Sequence, residues 1–272
     1  PEKRGLALAF HGVGGSVGDV AGPLATGALL IVLSWKEILS LYAVIPVFFA
    51  FLAVWSFQHI GIVKEAGNSS STQPSRANST IRLLTDPVLW GITAVRGFRA
   101  MALVSLVTIL PLYLADDLNL SLFARGFHIS LLIAIGLVAK PIAAHMSDRW
   151  GRKQILVPGL VWSCAIALLL IPFGHGFGLT ISIALLGLFL YPDQPILTAA
   201  TLEIVGRDVS ATALGITTSA SFAMSATAPL IAGALYQSFG MTYTLYFIAA
   251  LFAAGAVVLA LLPLGNRDKQ NL

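Results

Sequence analysis

Four sets of side chains in this sequence could do chemistry, and each lies inside or at the end of a long apolar run, where an ionisable group is costly and functional by default. Arg96 and Arg99 fall in the run Val88–Leu114, about 12 and 17 Å from its start at 1.5 Å per residue. Three residues apart, they share one face of a helix. Two guanidiniums there would bind a carboxylate or phosphate, pair with internal acids, or, for Arg96, snorkel to a membrane surface. Asp193 stands between two prolines in Tyr191-Pro192-Asp193-Gln194-Pro195. The prolines leave nearby carbonyls without helical donors, and irregular backbone at membrane depth is tolerated only where it is buried or lines a cavity. Asp193, with Gln194 beside it, is thus a proton carrier, a partner for Arg99, or part of a purely structural pair. Asp19 and His128 lie at similar depths in two other runs, and a histidine can titrate near neutral pH. Asp148, Arg149, Gly151, Arg152 and Lys153 cluster at the end of a further run and would anchor it to a membrane surface.

Other chemistry is excluded by spacing. The histidines His11, His59, His128, His145 and His175 are scattered, with no His-Glu-x-x-His on one helix face, and the one cysteine, Cys164, reads as a buried structural thiol. No Gly-Lys-Ser/Thr sequence exists for ATP hydrolysis. Gly12-Val13-Gly14-Gly15-Ser16-Val17 lacks the third glycine and the preceding strand of a dinucleotide loop. No metal and no cofactor is implied, and an intramembrane enzyme is disfavoured.

The elements that must position these groups are membrane helices. Of 272 residues, 57% are hydrophobic and 10% charged, where a soluble domain carries about 25% charged. Eight segments reach the ~20 apolar residues that a span requires: Leu6–Leu33, Ile38–Phe57, Val88–Leu114, Arg125–Met146, Ile155–Phe173, Phe177–Glu203, Ser210–Tyr236 and Tyr243–Pro263. Between the second and third lies a polar stretch from Gly61 to Asp86, low in complexity around Gly67–Ser75, which reads as a flexible linker. The net charge of +4 would suit nucleic acid, but the basic residues punctuate the ends of apolar runs, so no nucleic-acid partner is expected. With the N-terminus inside, eleven Lys and Arg fall on the inner side and two, Lys36 and Arg125, outside. That bias places both termini in the cytoplasm.

An internal repeat supplies the architecture. A shift of 206 residues lays Ala21-Gly22-Pro23-Leu24-Ala25-Thr26-Gly27-Ala28-Leu29 over Thr227-Ala228-Pro229-Leu230-Ile231-Ala232-Gly233-Ala234-Leu235, with five of nine positions identical. The second span then falls on the eighth. Weak symmetry between halves marks transporter folds built by duplication. If spans one and two correspond to seven and eight, four helices precede Pro1, and the chain is a fragment of a twelve-helix protein.

These residues resemble the major facilitator superfamily. Gly18-x3-Gly22-Pro23-x2-Thr26-Gly27 is similar to the family's fifth-helix signature, with Thr26 where Gly is usual. Ala144-x3-Asp148-Arg149-Trp150-Gly151-Arg152-Lys153 looks like its cytoplasmic loop motif, with Ala144 where Gly is usual. The resemblance implies an all-α polytopic fold, with 1–60 as the last two helices of a first half, 61–86 as the central linker, 87–265 as a second six-helix half and 266–272 as a tail. It implies that the third and sixth spans line a central cavity, that the first and fourth spans touch across the halves so that Asp19 and His128 form a candidate outer-gate pair, and that Asp148 accepts hydrogen bonds from Arg152 and a neighbouring helix end, holding the inner side shut. The expected function is a secondary active transporter in a bacterial inner or plasma membrane. It would be monomeric and would move a small solute by alternating access. The helix-five motif points to proton-driven efflux of drug-like or metabolite compounds; the Arg pair keeps organic-anion uptake or exchange as the rival.

Asn68-Ser69-Ser70 and Asn78-Ser79-Thr80 fit the N-glycosylation pattern but lie on the inner side. Expression in a glycosylating host is expected to leave both unmodified; a mass shift removed by deglycosylation would reverse the topology.

Overall fold

The computed structural model describes residues 4–60, 85–205 and 209–263, with side chains from Val17 onward; the linker core and the tail lie outside the described residues. Among these there are ten helices: α1 Arg4–Leu29, α2 Trp35–Ile60, α3 Pro87–Asp116, α4 Leu122–Trp150, α5 Arg152–Phe173, α6 Gly176–Leu190, α7 Asp193–Val205, α8 Ser210–Ser225, α9 Ala228–Phe239 and α10 Met241–Leu261. Seven spans among the described residues are long and apolar enough to cross a membrane, with α6–α7 and α8–α9 each counting as one. The helix α1 forms where the first span is expected.

Turn chemistry sets the boundaries. Ser34 and Glu37 form a reciprocal cap at the start of α2, the Ser34 N–H donating to Glu37 Oε2 at 2.7 Å. Asp86 accepts from the Val88 N–H at 2.8 Å, with Pro87 in the first turn of α3. Ser121 accepts from the Ala124 N–H at 3.3 Å and opens α4. Gly151, at φ +101°, reverses the chain in one residue between α4 and α5, in a conformation that a side chain would strain.

The helices α3, α4, α5, α6 and α10 pack around a core that includes Leu106, Leu110, Leu160, Ile183 and Phe252, with α7, α8 and α9 closing against α3. The sixth span breaks at Tyr191-Pro192, as its prolines require. The seventh also breaks, at Ala226-Thr227, which the sequence reading did not anticipate. There the Ser225 and Thr227 hydroxyls bond carbonyls three residues back and Pro229 removes a donor. Its repeat counterpart, Pro23, sits inside an unbroken α1.

The helix α1 docks on α4 through backbone proximity. A Cβ on Gly27 would stand 2.7 Å from the Leu122 carbonyl oxygen and 3.3 Å from Gly126 Cα, and one on Gly126 would strike the Pro23 carbonyl. Ser130 Oγ donates to the Val20 carbonyl at 2.7 Å across the same seam. Gly18 and Gly22 have nothing within 4 Å of a Cβ position, so the close approach belongs to Gly27 and Gly126. Exposure dominates α2, whose hydrogen-bonded tie to α1 is Tyr42 Oη to Thr26 Oγ1 at 3.1 Å.

Gly126→Ala is expected to lower the melting temperature of the purified protein, by about 1–3 kcal/mol of overpacking. Gly255→Ala, where the nearest atom is 3.7 Å away, should be neutral or slightly stabilising. Equal effects in a thermal scan would show that the α1–α4 seam is not close-packed.

Candidate functional site

The break in the sixth span builds the site. Where α6 stops at Leu190, its last carbonyls lose their helical donors; where α7 starts at Asp193, its first N–H groups are unpaired. A helix C-terminus favours a cation and an N-terminus an anion. The structure places one of each there. Arg99, on α3, donates from Nε to Asp193 Oδ2 at 2.8 Å and from Nη2 to the Leu190 carbonyl at 2.6 Å. Nη2 also lies 2.8 Å from Asp193 Oδ1, as an ion-pair contact. Arg99 and Asp193 are 6% and 7% exposed, so the pair is held away from water.

Arg96, one turn earlier on the same face of α3, differs. It is half-buried, and its guanidinium reaches two hydroxyls, Thr198 Oγ1 on α7 at 3.2 Å and Thr218 Oγ1 on α8 at 3.4 Å. No carboxylate among the described residues lies within ion-pair distance of it. Arg96, Arg99 and Gln194 line a small cavity between α3, α7 and α8, of about 60 Å³. Gln194 itself is exposed at the edge. On the far side of the break, Lys140 Nζ sits 5.9 Å from the centre of the Tyr191 ring, a cation–π contact.

The loop motif makes a second charge cluster. Arg152 bonds Asp148, Ser147 Oγ at 3.1 Å and Glu203 Oε1 on α7 at 3.0 Å. Lys153 Nζ donates to the Leu262 carbonyl at 2.8 Å and so satisfies the C-terminal end of α10. Arg149 is exposed and in no ion pair among the described residues. These contacts border a groove of about 1010 Å³ lined also by Val88, Trp150 and Pro263. Glu203 is the member that spacing could not find, since it lies 51 residues from Arg152.

Asp19 and His128 are not joined. His128 is buried, with Nδ1 on the Ala124 carbonyl at 2.7 Å and Nε2 on Thr180 Oγ1 at 3.0 Å, while Asp19 is exposed. The reason is helical phase. Gly126 and Ser130 face α1, and His128, two residues from either, points about 200° away toward α6.

Removing one partner of a buried ion pair leaves the other charge uncompensated, at about 3–5 kcal/mol. Arg99→Ala and Asp193→Asn are each expected to lower the melting temperature markedly. The double variant Arg99→Met/Asp193→Leu should recover most of the loss. A double variant less stable than either single would mean that the pair does not act as a unit.

The geometry can be set beside known proteins. A family model described as Major Facilitator Superfamily matches residues 1–144 and 96–272, which together span the chain. Among curated proteins the chain is similar to an uncharacterized MFS-type transporter, YfnC, of Bacillus subtilis (strain 168), at 25% identity over 267 residues. That match covers 96% of this chain and 63% of the relative's length. With matches across its whole length and an all-helical, multi-pass architecture, the chain belongs to the Major Facilitator Superfamily of integral membrane transporters and not to an enzyme family.

Proposed function

We propose that this chain is part of a secondary active transporter that moves a small solute by alternating access, with protons as the coupling ion and export as the direction. In this reading residues 1–60 are the last two helices of a first half, 61–86 the linker and 87–265 the second half. Both termini are cytoplasmic, and the carrier works as a monomer in a bacterial inner or plasma membrane.

The observation that carries the reading is the Arg99–Asp193 pair at the broken helix. While Asp193 is charged, the pair ties α3 to the junction of α6 and α7. A proton on Asp193 removes the charge attraction and leaves Arg99 with neutral acceptors, the Leu190 carbonyl and the carboxyl group, so helix separation and proton binding become linked. The cluster of Asp148, Arg152 and Glu203 ties the α4–α5 turn to α7 and would open when the inner side opens. On α1, Pro23 and Gly27 make the close contact with α4, while Gly18 and Gly22 leave a face without side chains that meets nothing among the described residues.

A second reading, organic-anion uptake or exchange by the same kind of carrier, is favoured by Arg96, a half-buried cation whose hydrogen bonds among the described residues are to hydroxyls.

Reconstituted into liposomes, the full-length protein with Asp193→Asn is expected to lose solute movement driven by a pH gradient by about tenfold or more, ~1.4 kcal/mol of coupling. Solute exchange without a gradient should persist. Gradient-driven flux equal to wild type in Asp193→Asn would remove Asp193 from the proton pathway.

A further inference from the structure

We propose that the cavity at Arg96 takes the head group of an amphipathic organic monoanion, a carboxylate with an apolar body; this rests on the transport reading and names its substrate class. Three charges stand at this point, and two of them cancel. Asp193 is spent on Arg99, which also uses the Leu190 carbonyl. Arg96 is left with one positive charge and five N–H donors, of which two reach threonine hydroxyls at 3.2 and 3.4 Å. Those are long contacts to neutral acceptors, whereas charge-assisted bonds run shorter, at about 2.7–2.9 Å. A half-buried cation held this loosely is under-compensated, and an incoming carboxylate would supply what it lacks.

The threonines act as positioners. Thr198 donates its own hydroxyl to the Gln194 carbonyl at 3.0 Å, so its lone pairs face Arg96 and hold the fork in place. The cavity of about 60 Å³ beside the guanidinium has room for a head group of a few atoms, and the remainder of a ligand must project past its rim. The lining is mixed: Gln194 and Thr218 are polar, Ser221 and Leu197 are buried in the wall, and Phe222, 68% exposed, offers apolar surface at the rim. One net charge selects one negative charge. A dianion such as phosphate would need a second free cation, and Lys140 faces the Tyr191 ring instead and is not among the cavity residues.

The test is a titration of the full-length protein in detergent at neutral pH with benzoate and with benzamide, its uncharged counterpart. Wild type is expected to bind benzoate and to show no comparable affinity for benzamide. Arg96→Gln should weaken benzoate by about tenfold or more, the loss of a charge-assisted contact, and Arg96→Lys by less. Phe222→Glu changes an exposed side chain and places a carboxylate at the rim, so it should abolish benzoate binding even if Arg96→Gln fails to fold. Absent benzoate binding, benzamide binding as tight as benzoate, or unchanged benzoate affinity in Arg96→Gln or Phe222→Glu would overturn the assignment. Flux in liposomes separates the two levels: gradient-driven flux without Arg96-dependent benzoate binding sinks the site and leaves the transporter. Arg96-dependent binding without any flux does the reverse.

Discussion

A carboxylate and a guanidinium buried in an apolar bundle can coexist only if each is answered by more than the other. The Arg99–Asp193 contact meets that condition because it is built on a broken helix. The Leu190 carbonyl at the end of α6 answers Arg99, and the start of α7 gives Asp193 the favourable end of a helix dipole. Remove the break and both charges would face sealed backbone. The position of α3 against α7 and α8 and the cavity at Arg96 go with holding that pair in place.

The fold was legible in the sequence because membrane helices announce themselves by length and hydropathy, and all eight expected spans are helical. The site was legible in its residues and less so in its partners. The prolines flanking Asp193 signalled irregular backbone, and Arg99 stood out as a charge at depth, so their meeting was one of the arrangements open. Arg96 kept several meanings until its neighbours were known, because Thr198 and Thr218 are unremarkable hydroxyls on distant segments. Glu203 looked like the end of a span rather than a partner for Arg152. Asp19 and His128 matched in depth, but depth says nothing of rotation about a helix axis, and that rotation sends His128 to Thr180. Gly126 carries no chemical signature, yet it decides how closely α1 can lie on α4.

Two charge clusters therefore sit on the same span, one at each end of α7. Asp193 opens the helix in a dry environment, and Glu203 lies near its close, 58% exposed at the side chain. The buried contact is strong but intolerant of an imbalance, whereas the exposed one is weak and easily screened. A helix of 13 residues anchored so unequally can be released at one end while the other holds.

The broken helix also bears on how the protein is made. Arg99 and Asp193 are 94 residues apart, and Arg99 is synthesised first. An arginine near the centre of a membrane helix costs about 2.5–3.5 kcal/mol at insertion. At ribosomal speeds of about 5–20 residues per second, roughly 5 to 20 s pass before its partner exists. Over that interval α3 must be sheltered by the insertion machinery or by helices already in place. The order of synthesis leaves this charge in waiting until the sixth span arrives to receive it.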